Sequence, residues 1–221
     1  MILKTKELFD LSRTAAKSLL EKCEYPHQAL PMIKEFIKDE LIPSLDSSYR
    51  EICEGVFVAD DAKIWDGATI VGPTVIGHSA EIRPGAFIRG NVIVGDGAVI
   101  GNSTEVKNAI VFDGAQLPHY NYVGDSIIGY KGHLGAGAIA SNLKLDKKEI
   151  VLKSEGEEMS SGLRKIGVFL GDHAEVGCGS VLCPGSIIGP NALVYPLSTV
   201  RGTIPQNTIY DGKELKERKM P

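Results

Sequence analysis

The stretch LPHYNYVGDS, residues 117–126, places His119 among two tyrosines, an asparagine and an aspartate, in a chain with only 6% aromatic residues. Imidazole titrates near neutral pH, so His119 is a candidate general base for deprotonating a nucleophile. Arg89 and Lys107 are the second candidate pair: both are positive, and they lie 18 residues apart. Stacked one strand apart they would repel, unless they splay into solvent or share an anion such as phosphate. Taken singly, each feature has a plainer reading, a structural histidine and two solvated cations. The chemistry depends on whether one scaffold brings them together.

That scaffold is written as a repeat of six. From Val58, steps of six give Val58, Ile64, Ile70, Ile76, Ile82, Ile88, Val94, Ile100 and Val106, all β-branched and aliphatic. Four places after each stands a mostly small residue, such as Ala62, Ala68 or Ala80. The cadence returns at Leu170, Val176, Leu182, Ile188, Val194 and Val200. A period of six matches neither the 3.6 of a helix nor the 2 of a flat strand. It fits a short strand plus a turn, wound into a parallel β-helix with the aliphatic residues stacked inside. Gly67, Gly85, Gly97 and Gly185 precede the small residue, where turn dihedrals are expected. Three hexads per coil put residues 18 apart above one another. Lys63 then lies under Glu81, and Asp60, His78 and Asp96 form a second column of mixed charge. After Val106 the count slips: Val111 follows after five residues, and the next clean hexad is expected at Ile128. The slip predicts that residues 117–126 are pushed outward as a loop, a common place for chemistry on a rigid scaffold.

Before residue 50 the pattern is helical, with Leu8, Leu11, Ala15 and Leu19, then Leu30, Ile33, Ile37 and Leu41, and with Pro43 as a stop. Residues 1–50 are therefore expected as two helices packed on an end or a side of the β-helix, residues 51–210 as the β-helix, and 211–221 as a tail. Residues 143–166, LKLDKKEIVLKSEGEEMSSGLRKI, interrupt the repeat and read as a hairpin with a basic stem that includes Lys147, Lys148, Arg164 and Lys165. It is either a solvated hairpin or a lid that contacts phosphate.

Composition narrows the class. The 24 basic and 28 acidic residues show no long block of one sign, which argues against a nucleic-acid partner. The amino terminus builds no apolar signal region and no apolar run approaches a membrane span, so neither secretion nor a membrane is expected. Cys23, Cys53, Cys178 and Cys183 form no CxxC or CxxH pair, which predicts reduced thiols in a cytoplasmic protein and no metal requirement.

The hexads resemble the hexapeptide-repeat family of acyltransferases, which implies a mainly β, left-handed parallel β-helix, here with an N-terminal two-helix segment. EVKN (105–108), PHYNYVGDSIIG (118–129), LGAGAIASN (134–142) and IGVFLGD (166–172) look like the acetyltransferase half of bifunctional glucosamine-1-phosphate acetyltransferase/N-acetylglucosamine-1-phosphate uridylyltransferases. The resemblance implies that His119 acts as base on a sugar amine attacking acetyl-CoA, that Arg89 and Lys107 hold the sugar phosphate, and that Tyr122 and Asn142 complete the sugar pocket. It places the coenzyme path near Ala136 and Cys178, and it implies homotrimers with sites between subunits. Two positions depart from the family pattern: His133 stands where an asparagine helps hold the sugar, and Leu143 where a tyrosine follows the matched asparagine. Residues 1–54 contain no glycine, so the phosphate-wrapping loop of a nucleotidyltransferase is missing from them and that activity is not expected here. Two further readings use the same residues, O-acylation of a hydroxyl and a non-catalytic oligomer that binds a sugar phosphate or nucleotide sugar.

Overall fold

A computed structural model of the chain describes residues 2–219. Its strands are short and pair in parallel with strands one coil away, as Val56, Thr74 and Val92 do at steps of 18. Three faces of a prism result. The first runs through Val56–Ala59, Thr74–Ile76 and Val92–Val94, and later through Val168–Leu170 and Ser186–Ile188. The second is a 9-stranded sheet from Lys63–Ile64 to the edge strand Leu215–Glu217. The third begins at Thr69–Ile70 and closes with Thr199–Val200. Strands Glu105–Val111 and Tyr122–Ile128 bend unbroken round the corner from the third face to the first, and so fuse those two faces into one 14-stranded sheet. The interior is one aliphatic stack in which Ile76, Ile88, Val106, Leu117, Ile128 and Leu170 are fully buried. Each such side chain contributes about 1.5–3 kcal/mol of hydrophobic stabilisation.

The repeat does not fail after Val106. Leu117 pairs with Ile100 and Val123 with Val106, so all of residues 117–126 but Tyr120 and Asn121, the turn between them, belong to strands Gln116–His119 and Tyr122–Ile128 rather than to an outward loop. What changes is the coil length. Val106 pairs with Val123 and Val123 with Ala140, each 17 residues on instead of 18. In the preceding coil the corner holds two residues with positive φ, Gly90 and Asn91. In the shortened coils a single left-handed residue makes the turn, Asn108 (φ 45°) and then Asp125 (φ 49°). Asn and Asp tolerate that conformation better than other residues with a side chain.

The N-terminal segment lies along the first face and not over an end. Outward-facing Val75, Ile93, Ile110, Ile127, Phe169 and Ile187 form a second apolar cluster with Leu8, Leu20, Ile33 and Ile37. The first expected helix is divided into Thr5–Leu8, a 3-10 turn Leu11–Arg13 and Lys17–Leu20. Asp10 and Thr14 cause the division: their side chains accept the backbone N–H of Ser12 (3.0 Å) and Ala16 (3.2 Å), offering the chain an alternative to continued helix. The second helix is continuous from Ile33 to Ser44, widening to π geometry over Ile37–Leu41. Antiparallel strands Tyr49–Cys53 and Leu215–Glu217 pair with sheet edges at the two ends, which hides groups that would otherwise template aggregation. The insertion forms the antiparallel hairpin Val151–Ser154 and Glu157–Ser160, with Ile150 and Leu152 buried in the second cluster. Among the described residues no helix is long and apolar enough to cross a membrane.

Candidate functional site

The shortened corner organises the site. Asn108, Asp125 and Asn142 stand 17 residues apart at the same corner of successive coils, and Asp125 bonds to both neighbours. Its Oδ1 accepts from Asn108 Nδ2 at 2.9 Å and its Oδ2 from Asn142 Nδ2 at 2.5 Å. Asp125 is only 6% exposed, so these bonds offset the cost of burying a carboxylate. The Lys107 ammonium lies 4.0 Å from the same Oδ2.

Arg89 and Lys107 are stacked as the 18-residue count predicts, since Phe87 and Ile88 pair with Glu105 and Val106. They are not an unpaired stack of positive charge, however. Arg89 Nη1 bonds Glu105 Oε1 at 2.6 Å, and Lys107 faces Asp125. Glu105 sits 16 residues from Arg89, off the 18-residue column, whereas Asp125 sits 18 from Lys107, in the column that a repeat slipping after Val106 would have broken. The guanidinium still has N–H donors beyond the one given to Glu105, and can take an anion without breaking that pair.

Tyr122 pairs with Glu105 across the strands and reaches toward Asn142. Their polar ends converge over Gly124, where a Cβ would lie 2.7 Å from Tyr122 Oη and 2.8 Å from Asn142 Nδ2. Burial holds the Tyr122 phenol above its ordinary pKa, and the carboxylates of Asp125 and Glu105 add to the effect, so it stays a neutral donor. His119 is exposed at the opposite edge of this third face, where the chain turns in from the second. Ala136 and Cys178 follow at the same corner of the next coils. Gly137 donates to the His119 carbonyl (3.0 Å), Gly179 to that of Ala136 (2.9 Å) and Leu197 to that of Cys178 (2.9 Å), so the three form one unbroken edge. Cys178 is an exposed free thiol.

His133 is not brought to this group within one chain. It lies on the second face between Gln116 and Glu175. His119 instead ends a strand of the second face at its corner with the third, and Tyr122, Asn142, Lys107 and Arg89 lie on the third, so that the row runs from a histidine at one edge to a cationic and amide cluster at the other. Glu105 and Asp125 are the residues that sequence reasoning passed over. The 17-residue spacing of Asn108, Asp125 and Asn142 was the available signal for the latter.

Comparison with known proteins agrees with the scaffold. The family described as GMPPB C-terminal domain matches residues 70–155. The chain is similar to a bifunctional sugar-1-phosphate nucleotidylyltransferase/acetyltransferase of Sulfurisphaera tokodaii, with 39% identity over 66% of this chain and 36% of the relative. It is similar to the bifunctional protein GlmU of Methanococcus maripaludis, 34% identical over 60% of this chain and 32% of that protein. The chain thus spans about a third of the length of these relatives. An uncharacterized acetyltransferase of Escherichia coli, YaiX, is 32% identical over 81% of this chain and 75% of its own length. Parallel coils of aliphatic hexads, with similarity of this extent along most of the chain, place the protein in the hexapeptide-repeat acetyltransferase family, built on a left-handed parallel β-helix.

Proposed function

We propose that the protein is an acetyl-CoA-dependent N-acyltransferase whose acceptor is an amino-sugar phosphate resembling glucosamine 1-phosphate. The observation that carries this reading is the order of groups across the third face, base at one edge and cations at the other. A sugar whose amine lies at His119 and whose phosphate lies at Arg89 and Lys107 would span that row, with Tyr122 and Asn142 beside its hydroxyls. His119 takes a proton from the ammonium, and the freed amine attacks the thioester carbonyl. The C–N bond forms, the C–S bond breaks, and the coenzyme leaves as a thiolate that is then protonated. The edge that continues from His119 to Ala136 and Cys178 would carry the coenzyme, and His133 would meet a sugar from a neighbouring subunit of a homotrimer.

Release of free thiol from acetyl-CoA, measured across amino-sugar phosphates, tests the reading. Turnover is expected for at least one acceptor, and His119→Ala is expected to lower kcat by about a hundredfold to ten-thousandfold. Absence of turnover, or full turnover by His119→Ala, would leave only a binding role.

A further inference from the structure

Beyond the cationic end of the row lies a cavity of about 460 Å³ that the reaction above does not use. Three separate parts of the chain build it. Leu30 and Pro31 of the N-terminal segment form one wall, and Leu143 and Leu163 of the insertion form the other. Asn108 and Asp125 are its floor, and Arg164 and Lys165 stand at its rim. The floor is fixed from both sides, because Asn108 Nδ2 donates to the Leu30 carbonyl (3.3 Å) as well as to Asp125. No carboxylate forms an ion pair with Arg164 or Lys165 among the described residues; Arg164 Nε donates to the Lys147 carbonyl at 2.9 Å and leaves its other N–H groups for a ligand.

Order along the chain fixes what can reach this cavity. His119, Tyr122, Gly124 and Asp125 follow one another toward the cationic edge, six residue steps that span at most about 20 Å. The cavity therefore continues from the phosphate end of the acceptor, not from its amine end. An occupant attached there must leave a first phosphate at Lys107, present further negative charge to Arg164 and Lys165, and end in a flat, largely apolar group with polar edges. The walls are aliphatic and the floor offers an amide and a carboxylate, which suits a nucleobase. The volume falls within the range of small-molecule sites, roughly 300–1,000 Å³.

We infer that the acceptor is an amino sugar linked to a nucleoside diphosphate, with the sugar on the third face and the nucleoside between Leu30, Pro31, Leu143 and Leu163. The inference rests on the proposed orientation of the sugar, and it assigns the insertion as a nucleotide-binding element and not a solvated hairpin. Leu143 and the basic end of the insertion then have a common role.

Titration calorimetry of the full-length protein with UDP, GDP, CDP and dTDP, without acetyl-CoA, tests the cavity apart from the chemistry. At least one diphosphate is expected to bind ten times or more tightly than inorganic pyrophosphate. Arg164→Ala/Lys165→Ala is expected to weaken it at least tenfold, and so is Leu143→Glu, an exposed change on the insertion's wall that places a carboxylate in the cavity. Acetyl-CoA binding should be unchanged in both variants. If no nucleoside diphosphate outcompetes pyrophosphate, or if both variants bind as the native protein does, the inference is overturned. Nucleotide binding without acetyl transfer to any nucleotide-linked amino sugar would keep the cavity and remove the proposed reaction. Transfer to a sugar monophosphate with no nucleotide binding would do the reverse.

Discussion

Gly124 shows how closely single residues are fitted to this site. Its φ is not in the left-handed region, and the atoms nearest to a methyl group there are the side-chain ends of Tyr122 and Asn142. Gly124→Ala is expected to displace those two side chains and raise KM for the acceptor on the order of tenfold, with denaturant stability nearly unchanged. Steady-state kinetics beside a urea titration checks the split. His78 is a contrasting histidine. Its Nδ1 lies 2.9 Å from Asp61 Oδ1 and its Nε2 3.2 Å from Ser48 Oγ, and the bond to Asp61 raises its pKa above the ordinary 6.5. A raised folded pKa means that its contribution to stability is complete below about pH 6.5 and fades as pH rises through the folded value. An NMR titration should find His78 above the free-histidine pKa, and Asp61→Asn should return it toward that value. The mixed-charge column around His78 was legible from steps of 18. The amide partners of Asp125 were not, because Asn108 and Asn142 are reached through coils of 17.

Among the elements, the coil is the unit of stability, and its spacing tolerates no added atom where backbone faces backbone. A Cβ at Gly101 would lie 1.6 Å from the Pro118 carbonyl oxygen of the next coil. Gly101→Ala is therefore expected to cost about 3 kcal/mol, read as a fall in the urea midpoint. The strands were legible because β-branched residues recur at six whatever the surface does. The helices were legible only in part. Leu8, Leu11 and Leu19 keep helical spacing and are buried, yet the backbone between them breaks around Asp10 and Thr14, whose short side chains bond their own neighbours. Spacing records which face is buried, and cannot record that competition. Likewise a step of five was read as a broken repeat, although a left-handed Asn or Asp at a corner replaces two residues with one and leaves the strands intact.

Across the whole molecule, the prism keeps a dry inside and one dry outer face. The first face presents Val75, Ile93, Ile110, Ile127, Phe169 and Ile187 to the N-terminal segment, a contiguous apolar patch of the kind that marks an interaction surface when left open. A chain lacking residues 1–45 is expected to keep its strand signal in circular dichroism but to self-associate, which light scattering would detect; a monodisperse truncated protein would show that the segment is dispensable. The sequence foretold a segment beside the β-helix without foretelling which side, because the outward apolar residues of the first face stand just before the positions counted as core, as Val75 does before Ile76 and Ile127 before Ile128.

The corner at Asn142 has one more consequence. The insertion leaves the prism just after Asn142 and returns at Ile166, whose N–H donates to the Asn142 carbonyl at 3.1 Å. Departure and return are thus clasped together, and strands Tyr122–Ile128 and Val168–Leu170 pair as if nothing lay between them. The position works as a socket: what is plugged into it can be exchanged or retuned for another ligand without altering the strand pairing beneath, provided that it still covers the outer face as Ile150 and Leu152 do.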